Sequence, residues 1–218
     1  MTSISALCLG AVGCGKTTLL QKLQEHQSEA VEEEEEVKEP VATVGVNHFN
    51  IVLPKVEDES QKKLDVISKC FTIVTTAYRG KNDDILSIRE FGGALAPAWL
   101  SYLRGILLED SESLKGLLYV IDLSLSARFA EVGVHLTDIV GFVESFKSST
   151  RVLIVFSKLD LIDEDHEEKA LNEARALLRL DYLSNWCKNC NIEEICYSSK
   201  TDRGLTDILH WCCTLHFP

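Results

Sequence analysis

The sequence predicts an α/β fold: a mostly parallel sheet with helices on both faces. Three observations carry that expectation. Short apolar runs alternate with stretches of helical period along 218 residues, the order that builds a parallel sheet through crossover helices. The central runs, "GLLYVIDLS" (116–124) and "RVLIVFSKLD" (151–160), are nearly apolar throughout rather than alternating, as inner strands covered on both faces are. The first run leads through a glycine-rich loop straight into a helical stretch. A chain of this length suits one domain, 1–218, with a sizeable core.

Taken in order, "ISALCLG" (4–10) reads as a buried strand, followed by a helix from about 16 to 27. "VNHFNIVL" (46–53) alternates like a half-buried strand, and "ILSIREF" (85–91) is another. After the run at 116–124, "ARFAEVGVHLTDIVGFVESF" (127–146) has helical period. After the run at 151–160, "EDHEEKALNEARALLRL" (164–180) opens with acids that suit a helix N-terminus. A short strand near 193–199 precedes a last helix at 205–216. Two stretches exceed a minimal domain. The Glu-rich run at 29–39 reads as a solvated loop, since a block of like charge repels itself. The span of about 54–84 holds either one long hairpin or an additional strand at "CFTIVTTAY" (70–78).

Composition excludes several classes. Hydrophobic residues make up 45%, too many for a disordered chain. Net charge is −12, which excludes a basic nucleic-acid face. Half of that charge is local: residues 28–40 carry seven Glu and one Lys, or six net negatives. Eight cysteines show no zinc-finger spacing; Cys187 and Cys190 form a lone C-x-x-C. Without a charged leader, the cysteines read as reduced thiols of a cytoplasmic chain. No run approaches the ~18 apolar residues of a membrane span. Thr2 in place of Gly, and the "CCTLHFP" end, give no lipidation signal, so no intrinsic membrane anchor is expected.

The chemistry begins at "GAVGCGKT" (10–17), which fits G-x-x-x-x-G-K-[ST] between a strand and a helix. Such a loop turns backbone N–H groups onto a phosphate, which here involves Gly10, Ala11, Val12, Gly13, Cys14, Gly15 and the helix start through Thr18. Lys16 reaches the β- and γ-phosphates, and Thr17 offers its hydroxyl to Mg²⁺. That specifies a nucleoside triphosphate but not its base. A GTP switch fits, and so does an ATPase or kinase with Asp122 as the metal-binding carboxylate.

"FSKLD" (156–160) bears on the base. The Asp160 carboxylate can accept from the N1–H and 2-amino groups of guanine, a donor pair that adenine lacks. The Lys158 stem can lie over the base. "YSSKTDRG" (197–204) follows a second strand, where Ser198, Ser199 and Lys200 can support the same contact.

These residues together resemble the Ras-superfamily small GTPases of the ADP-ribosylation-factor-like branch, over almost the whole chain. The resemblance implies a P-loop NTPase small G domain: a mostly parallel six-stranded sheet with one antiparallel edge strand, and loop insertions at 29–39, at about 54–84 and near 106–113. "TVGVN" (43–47) resembles switch I, where Thr43 would bind Mg²⁺ and the γ-phosphate. "REFGG…PAW" (89–99) resembles switch II, usually Trp-Asp-x-Gly-Gly-Gln, with Gly93 as the γ-phosphate contact. "SKLD" resembles Asn-Lys-x-Asp, and "SSK" resembles Ser-Ala-Lys. The implied cofactors are GTP/GDP and Mg²⁺. The implied partners are effectors and regulators that read switch I (about 40–47) and switch II (about 90–102) of a monomer, in membrane or ciliary traffic.

Four departures qualify the resemblance. Glu90 stands where Asp is usual and would act on Mg²⁺ through a bridging water; its added methylene either brings the carboxylate closer to the ion or misplaces that water. Ser157 replaces Asn and loses an amide that tethers the loops around the base, which predicts weaker nucleotide affinity. Ala94 replaces the Gln that orients the attacking water. Val12 puts a branched side chain in the phosphate loop. The expectation is a GTP-binding switch with weak intrinsic hydrolysis. The alternatives are an adaptor that keeps the fold but binds nucleotide poorly, and the ATPase or kinase.

Overall fold

The computed structural model describes residues 6–26, 43, 45–53, 85–109, 114–146 and 149–215. The acidic run at 29–39 and the span 54–84 lie outside them. Strands β1 (Ala6–Gly10), β2 (Val46–Val52), β3 (Ile85–Phe91), β4 (Gly116–Asp122), β5 (Arg151–Ser157) and β6 (Asn191–Cys196) form one sheet. Its order is β2-β3-β1-β4-β5-β6. β2 runs antiparallel to β3 at the edge, and every other pair is parallel. This is the expected mostly parallel, six-stranded sheet.

Among the described residues, six α-helices cover it: α1 (Lys16–Glu25), α2 (Trp99–Glu109), α3 (Phe129–Ser145), α4 (Glu164–Leu178), α5 (Leu180–Trp186) and α6 (Leu205–Thr214). The apolar strands explain the layering, because side chains alternate between the two faces of a sheet. On β4, Leu117, Tyr119 and Ile121 join the core under α2, α3, α4 and α5. Leu118 and Val120 join the opposite core, under α1 and α6. β5 divides the same way, with Val152, Ile154 and Phe156 on one side and Leu153 and Val155 on the other. Each such aliphatic side chain, fully removed from water, stabilises the fold by roughly 1.5–3 kcal/mol before entropy is counted.

Several boundaries differ from the sequence expectations. The run at 116–124 stops as a strand at Asp122, whose Oδ1 accepts the Ser124 backbone N–H at 3.0 Å and the Ser124 hydroxyl at 2.6 Å. An aspartate that bonds two residues ahead turns the chain. The run at 151–160 ends as a strand at Ser157 because Lys158 is left-handed (φ 60) and feeds a 3-10 turn, Leu159–Leu161. The helix expected over 164–180 breaks at Arg179 (φ 55), and a separate helix, α5, follows. Helix α2 was not expected. It includes the first residues of the insertion placed near 106–113, where Ile106 and Leu107 are buried in a core, and 110–113 lie outside the described residues. Among the described residues, no helix is long and apolar enough to cross a membrane.

Candidate nucleotide site

The predicted segments meet at the carboxyl edge of the parallel strands, where open α/β sheets place their ligands. The glycine loop follows β1, Gly93 follows β3, 158–160 follows β5 and 197–200 follows β6. Because β2 is antiparallel, its start returns Thr43 and Gly45 to the same edge. A cavity of about 420 Å³ lies there. Of the predicted residues, Val12, Gly13, Gly15, Lys16, Thr17, Thr18, Thr43, Glu90, Gly93, Ser157, Lys158, Asp160, Ser199 and Lys200 line it. Gly10, Ala11, Cys14 and Ser198 do not line it.

The loop is held from behind. Gly10 (φ 146) packs so closely that a Cβ there would lie 2.3 Å from the Val120 carbonyl oxygen, a distance no side chain tolerates. Lys16 is 5% exposed, and its ammonium donates to the Gly10 and Ala11 carbonyls, each at 2.9 Å. The lysine charge is thus fixed at the mouth of α1, beside the free N–H groups of the first turn. The Ser157 hydroxyl lies 2.6 Å from the Cys14 carbonyl and 3.0 Å from the Ile121 carbonyl. The serine hydroxyl thus keeps one tether to the phosphate loop.

The base end is organised around Asp160. Its Oδ1 accepts from the Ser198 hydroxyl at 2.9 Å, and its Oδ2 lies 3.2 Å from the Lys200 ammonium. Burial pushes the Asp160 carboxyl up, but these two donors outweigh it and hold the group below its ordinary value. The carboxylate is therefore fixed as an acceptor. Lys158 directs its ammonium away from this group and forms an ion pair with Asp122 at 2.7 Å. Its aliphatic stem is left along the cavity.

Asp122, the metal carboxylate of the ATPase or kinase alternative, meets other partners here. One of its oxygens is committed to Ser124 and the other faces Lys158, whereas the Thr17 hydroxyl bonds Glu90 instead, at 2.6 Å. Asp122 braces the base loop.

Thr17, Thr43, Glu90 and Asn47 form one hydrogen-bonded cluster. The Thr17 and Thr43 hydroxyls are 3.2 Å apart, and Glu90 Oε1 lies 3.3 Å from Thr43 Oγ1. Asn47 Nδ2 donates to Glu90 Oε2 at 3.2 Å. Two hydroxyls and a carboxylate are the hard oxygen donors that Mg²⁺ takes, so the residues fit that ion. Asn47 was missed as a site residue. The signal was its pairing directly across from Glu90, which depends on a β2–β3 register spanning 43 positions. Leu161 and Tyr197 also line the cavity unforeseen, although each sits next to a motif already noted.

The two switch segments touch each other and the phosphate loop. The Gly92 N–H donates to the Gly45 carbonyl at 2.9 Å. A Cβ on Gly93 would lie 2.2 Å from the Val12 backbone nitrogen, so position 93 rests on the loop backbone. Ala94 is the second residue of a 3-10 turn, Gly93–Ala98, is exposed, and does not line the cavity.

The lone C-x-x-C has its own structural account. Glu144 receives the backbone N–H groups of Lys188, Asn189 and Cys190 at 3.0–3.2 Å. Burial, aided by the Glu144 charge, pushes the Cys187 thiol to about 11 and the Cys190 thiol to about 12. Both remain protonated near neutrality.

The fold is that of a P-loop NTPase small G domain, with the phosphate-loop, switch and base segments gathered at one cavity. No family model matches the chain. The chain is 29% identical over 214 residues to ADP-ribosylation factor-like protein 16 of Homo sapiens, covering 96% of this chain and 85% of that protein. Its fold is similar to the Arl6 BBS3 small GTPase of Trypanosoma brucei with bound nucleotide analogue GppNp, with a TM-score of 0.61 and 14% identity over 99% of this chain and 98% of that one. It is also similar to the bacterial selenocysteine-specific elongation factor EF-Sec, with a TM-score of 0.55 and 20% identity over 99% of this chain but 29% of that longer one. Together these findings support an Arf-like small GTPase.

Proposed function

We propose that the protein is a GTP-binding molecular switch of the Arf-like type with weak intrinsic hydrolysis, acting through effector proteins in membrane or ciliary traffic. The supporting observation is that a single cavity takes in Lys16, Thr43, Gly93 and Asp160, one residue from each of four separate chain segments. Lys16 and the loop N–H groups bind the β- and γ-phosphates. Thr17 and Thr43 hold Mg²⁺, which supplies positive charge against the phosphate oxygens. Asp160, held ionised by Ser198 and Lys200, accepts from guanine and discriminates against adenine. The Gly93 N–H senses the γ-phosphate. Gly92 already bonds Gly45, so ordering either switch orders both, and loss of the phosphate releases them together. Effectors and regulators read 40–47 and 90–102 of a cytoplasmic monomer.

Weak hydrolysis follows from Ala94, which has no side chain to orient a water. Ala94→Gln raises single-turnover hydrolysis about tenfold, equivalent to ~1.4 kcal/mol of barrier. A flat rate with GTP and Mg²⁺ still bound removes that explanation.

The deciding experiment is competition for a fluorescent guanine nucleotide by GTP, GDP and ATP. Displacement by GTP and GDP but not by ATP is expected. Equal displacement by ATP sinks the guanine reading. Absence of any binding at micromolar nucleotide favours the adaptor.

A further inference from the structure

We propose that Glu90 is a direct ligand of the divalent cation at the phosphate site, turned onto it by Asn47. This deepens the proposed function and rests on it. Three oxygens converge beside the phosphate loop. Thr17 Oγ1 lies 2.6 Å from Glu90 Oε1, Thr43 Oγ1 lies 3.3 Å from that same oxygen, and the two hydroxyl oxygens are 3.2 Å apart. An octahedral Mg²⁺ with bonds of about 2.1 Å keeps adjacent ligand oxygens about 3.0 Å apart. The three edges of this triangle bracket that spacing. They outline one face of an octahedron and leave the opposite face to phosphate and water.

Two further observations point the same way. Glu90 is 1% exposed, yet its hydrogen-bond partners among the described residues, Thr17, Thr43 and Asn47, are neutral. A carboxylate taken out of water needs a counter-charge, and neutral donors offset only part of that cost. A divalent ion against Oε1 supplies the rest. The carboxylate is also aimed. β2 and β3 pair Asn47 directly across from Glu90. The Asn47 amide donates to Oε2 at 3.2 Å and reaches Thr43 Oγ1 at 3.4 Å. Holding Oε2 turns Oε1 toward the two hydroxyls. An aspartate at position 90 ends one methylene short, about 1.5 Å, and leaves room for a water between itself and the ion. Glu90 closes that gap, displaces the water and gives the ion an anionic protein ligand. Asn47 is the positioning residue.

The test loads the full chain with a non-hydrolysable GTP analogue and Mn²⁺, a spectroscopic stand-in for Mg²⁺, after labelling glutamate δ-carboxyl carbons with ¹³C. Electron–nuclear double resonance is expected to show a directly bound carboxyl carbon. Glu90→Asp loses that coupling and gains one bound water, counted by line broadening in ¹⁷O-water. Glu90→Gln raises the Mn²⁺ dissociation constant at least about tenfold, in the range seen when groups around a metal are removed. Asn47→Ala weakens the ¹³C coupling, and an unchanged coupling there overturns its positioning role. A wild-type complex that binds the GTP analogue and Mn²⁺ without carboxyl coupling overturns the Glu90 assignment alone, and that readout needs no variant to fold. Failure of the wild type to bind any guanine nucleotide in excess Mg²⁺ or Mn²⁺ overturns the functional reading, and this proposal with it.

Discussion

Ser157 is 1% exposed, and its single hydroxyl hydrogen is shared between the Cys14 and Ile121 carbonyls. The first of these belongs to the phosphate loop and the second to β4, so one side chain pins the loop to the sheet. Ser157→Ala leaves two buried carbonyls without this donor, at a cost of about 1–2 kcal/mol. We expect guanine nucleotide to dissociate roughly tenfold faster from that variant. Stopped-flow release of a fluorescent analogue checks this, and an unchanged rate makes the tether irrelevant to binding. The contact also shows where sequence reading stops at the residue scale. Residue types at each motif are legible, because Lys16, Thr17 and Asp160 are fixed by the chemistry of phosphate and guanine. Partnerships are not. Nothing in the local sequence states that Asp122 meets Lys158, that Asn47 meets Glu90, or that the Ser157 hydroxyl reaches the phosphate loop.

At the scale of elements, unbroken apolar runs such as 116–122 made the inner parallel strands legible, and the antiparallel edge agrees with what the family resemblance implied. The helices were less legible. α2 begins at Trp99, just after Pro97, and its apolar spacing of Trp99, Leu103, Ile106 and Leu107 is short and adjoins the glycine- and alanine-rich switch motif. The break between α4 and α5 falls on Arg179, a residue with no turn preference that adopts φ 55 only because the tertiary contacts of Leu178 and Leu180 require it. Two predictions belong here. Gly93→Ala drives a Cβ into the Ala11–Val12 backbone, so the loop after β3 cannot settle on the phosphate loop. GTP affinity falls at least about tenfold while GDP affinity changes much less. An unchanged ratio of the two, measured by titration, removes Gly93 from the sensing role. The second concerns the clamp between α3 and the loop before β6. Burial pushes the Glu144 carboxyl up, but bonds from Lys188, Asn189 and Cys190 outweigh it, so the group lies below its ordinary value. A depressed native value means the stabilisation is present above the unfolded carboxylate pKa and is lost as pH falls through the native one. Glu144→Gln therefore costs roughly 1 kcal/mol at pH 7, discounted for partial exposure. The difference from wild type shrinks toward zero below about pH 4. Urea melts across that range test it, and a pH-independent difference rejects the carboxylate clamp.

At the scale of the whole molecule, the site exists only when the sheet does. Its groups come from the ends of β1, β3, β5 and β6 and from the start of β2. Ion pairs extend the same frame, with Lys22 on α1 bonded to Asp202 and Arg203 bonded to Glu167 on α4 at 2.8 Å. A ligand that needs all of these segments binds the native state and not the unfolded one. Its binding energy is then added to global stability. At a hundredfold excess over its dissociation constant the gain is about 2.7 kcal/mol. For a domain of this size each kcal/mol raises the melting temperature by roughly 2–4 °C. GTP with Mg²⁺ is therefore expected to raise it by roughly 5–10 °C in one cooperative transition. ATP at the same concentration engages the phosphate loop but gives Asp160 no donor pair, so its shift is much smaller. Differential scanning calorimetry with each nucleotide decides the matter. Equal shifts for GTP and ATP mean that phosphate alone is read. A GTP shift confined to one of two separate transitions means that the base loop and the phosphate loop do not belong to one folding unit.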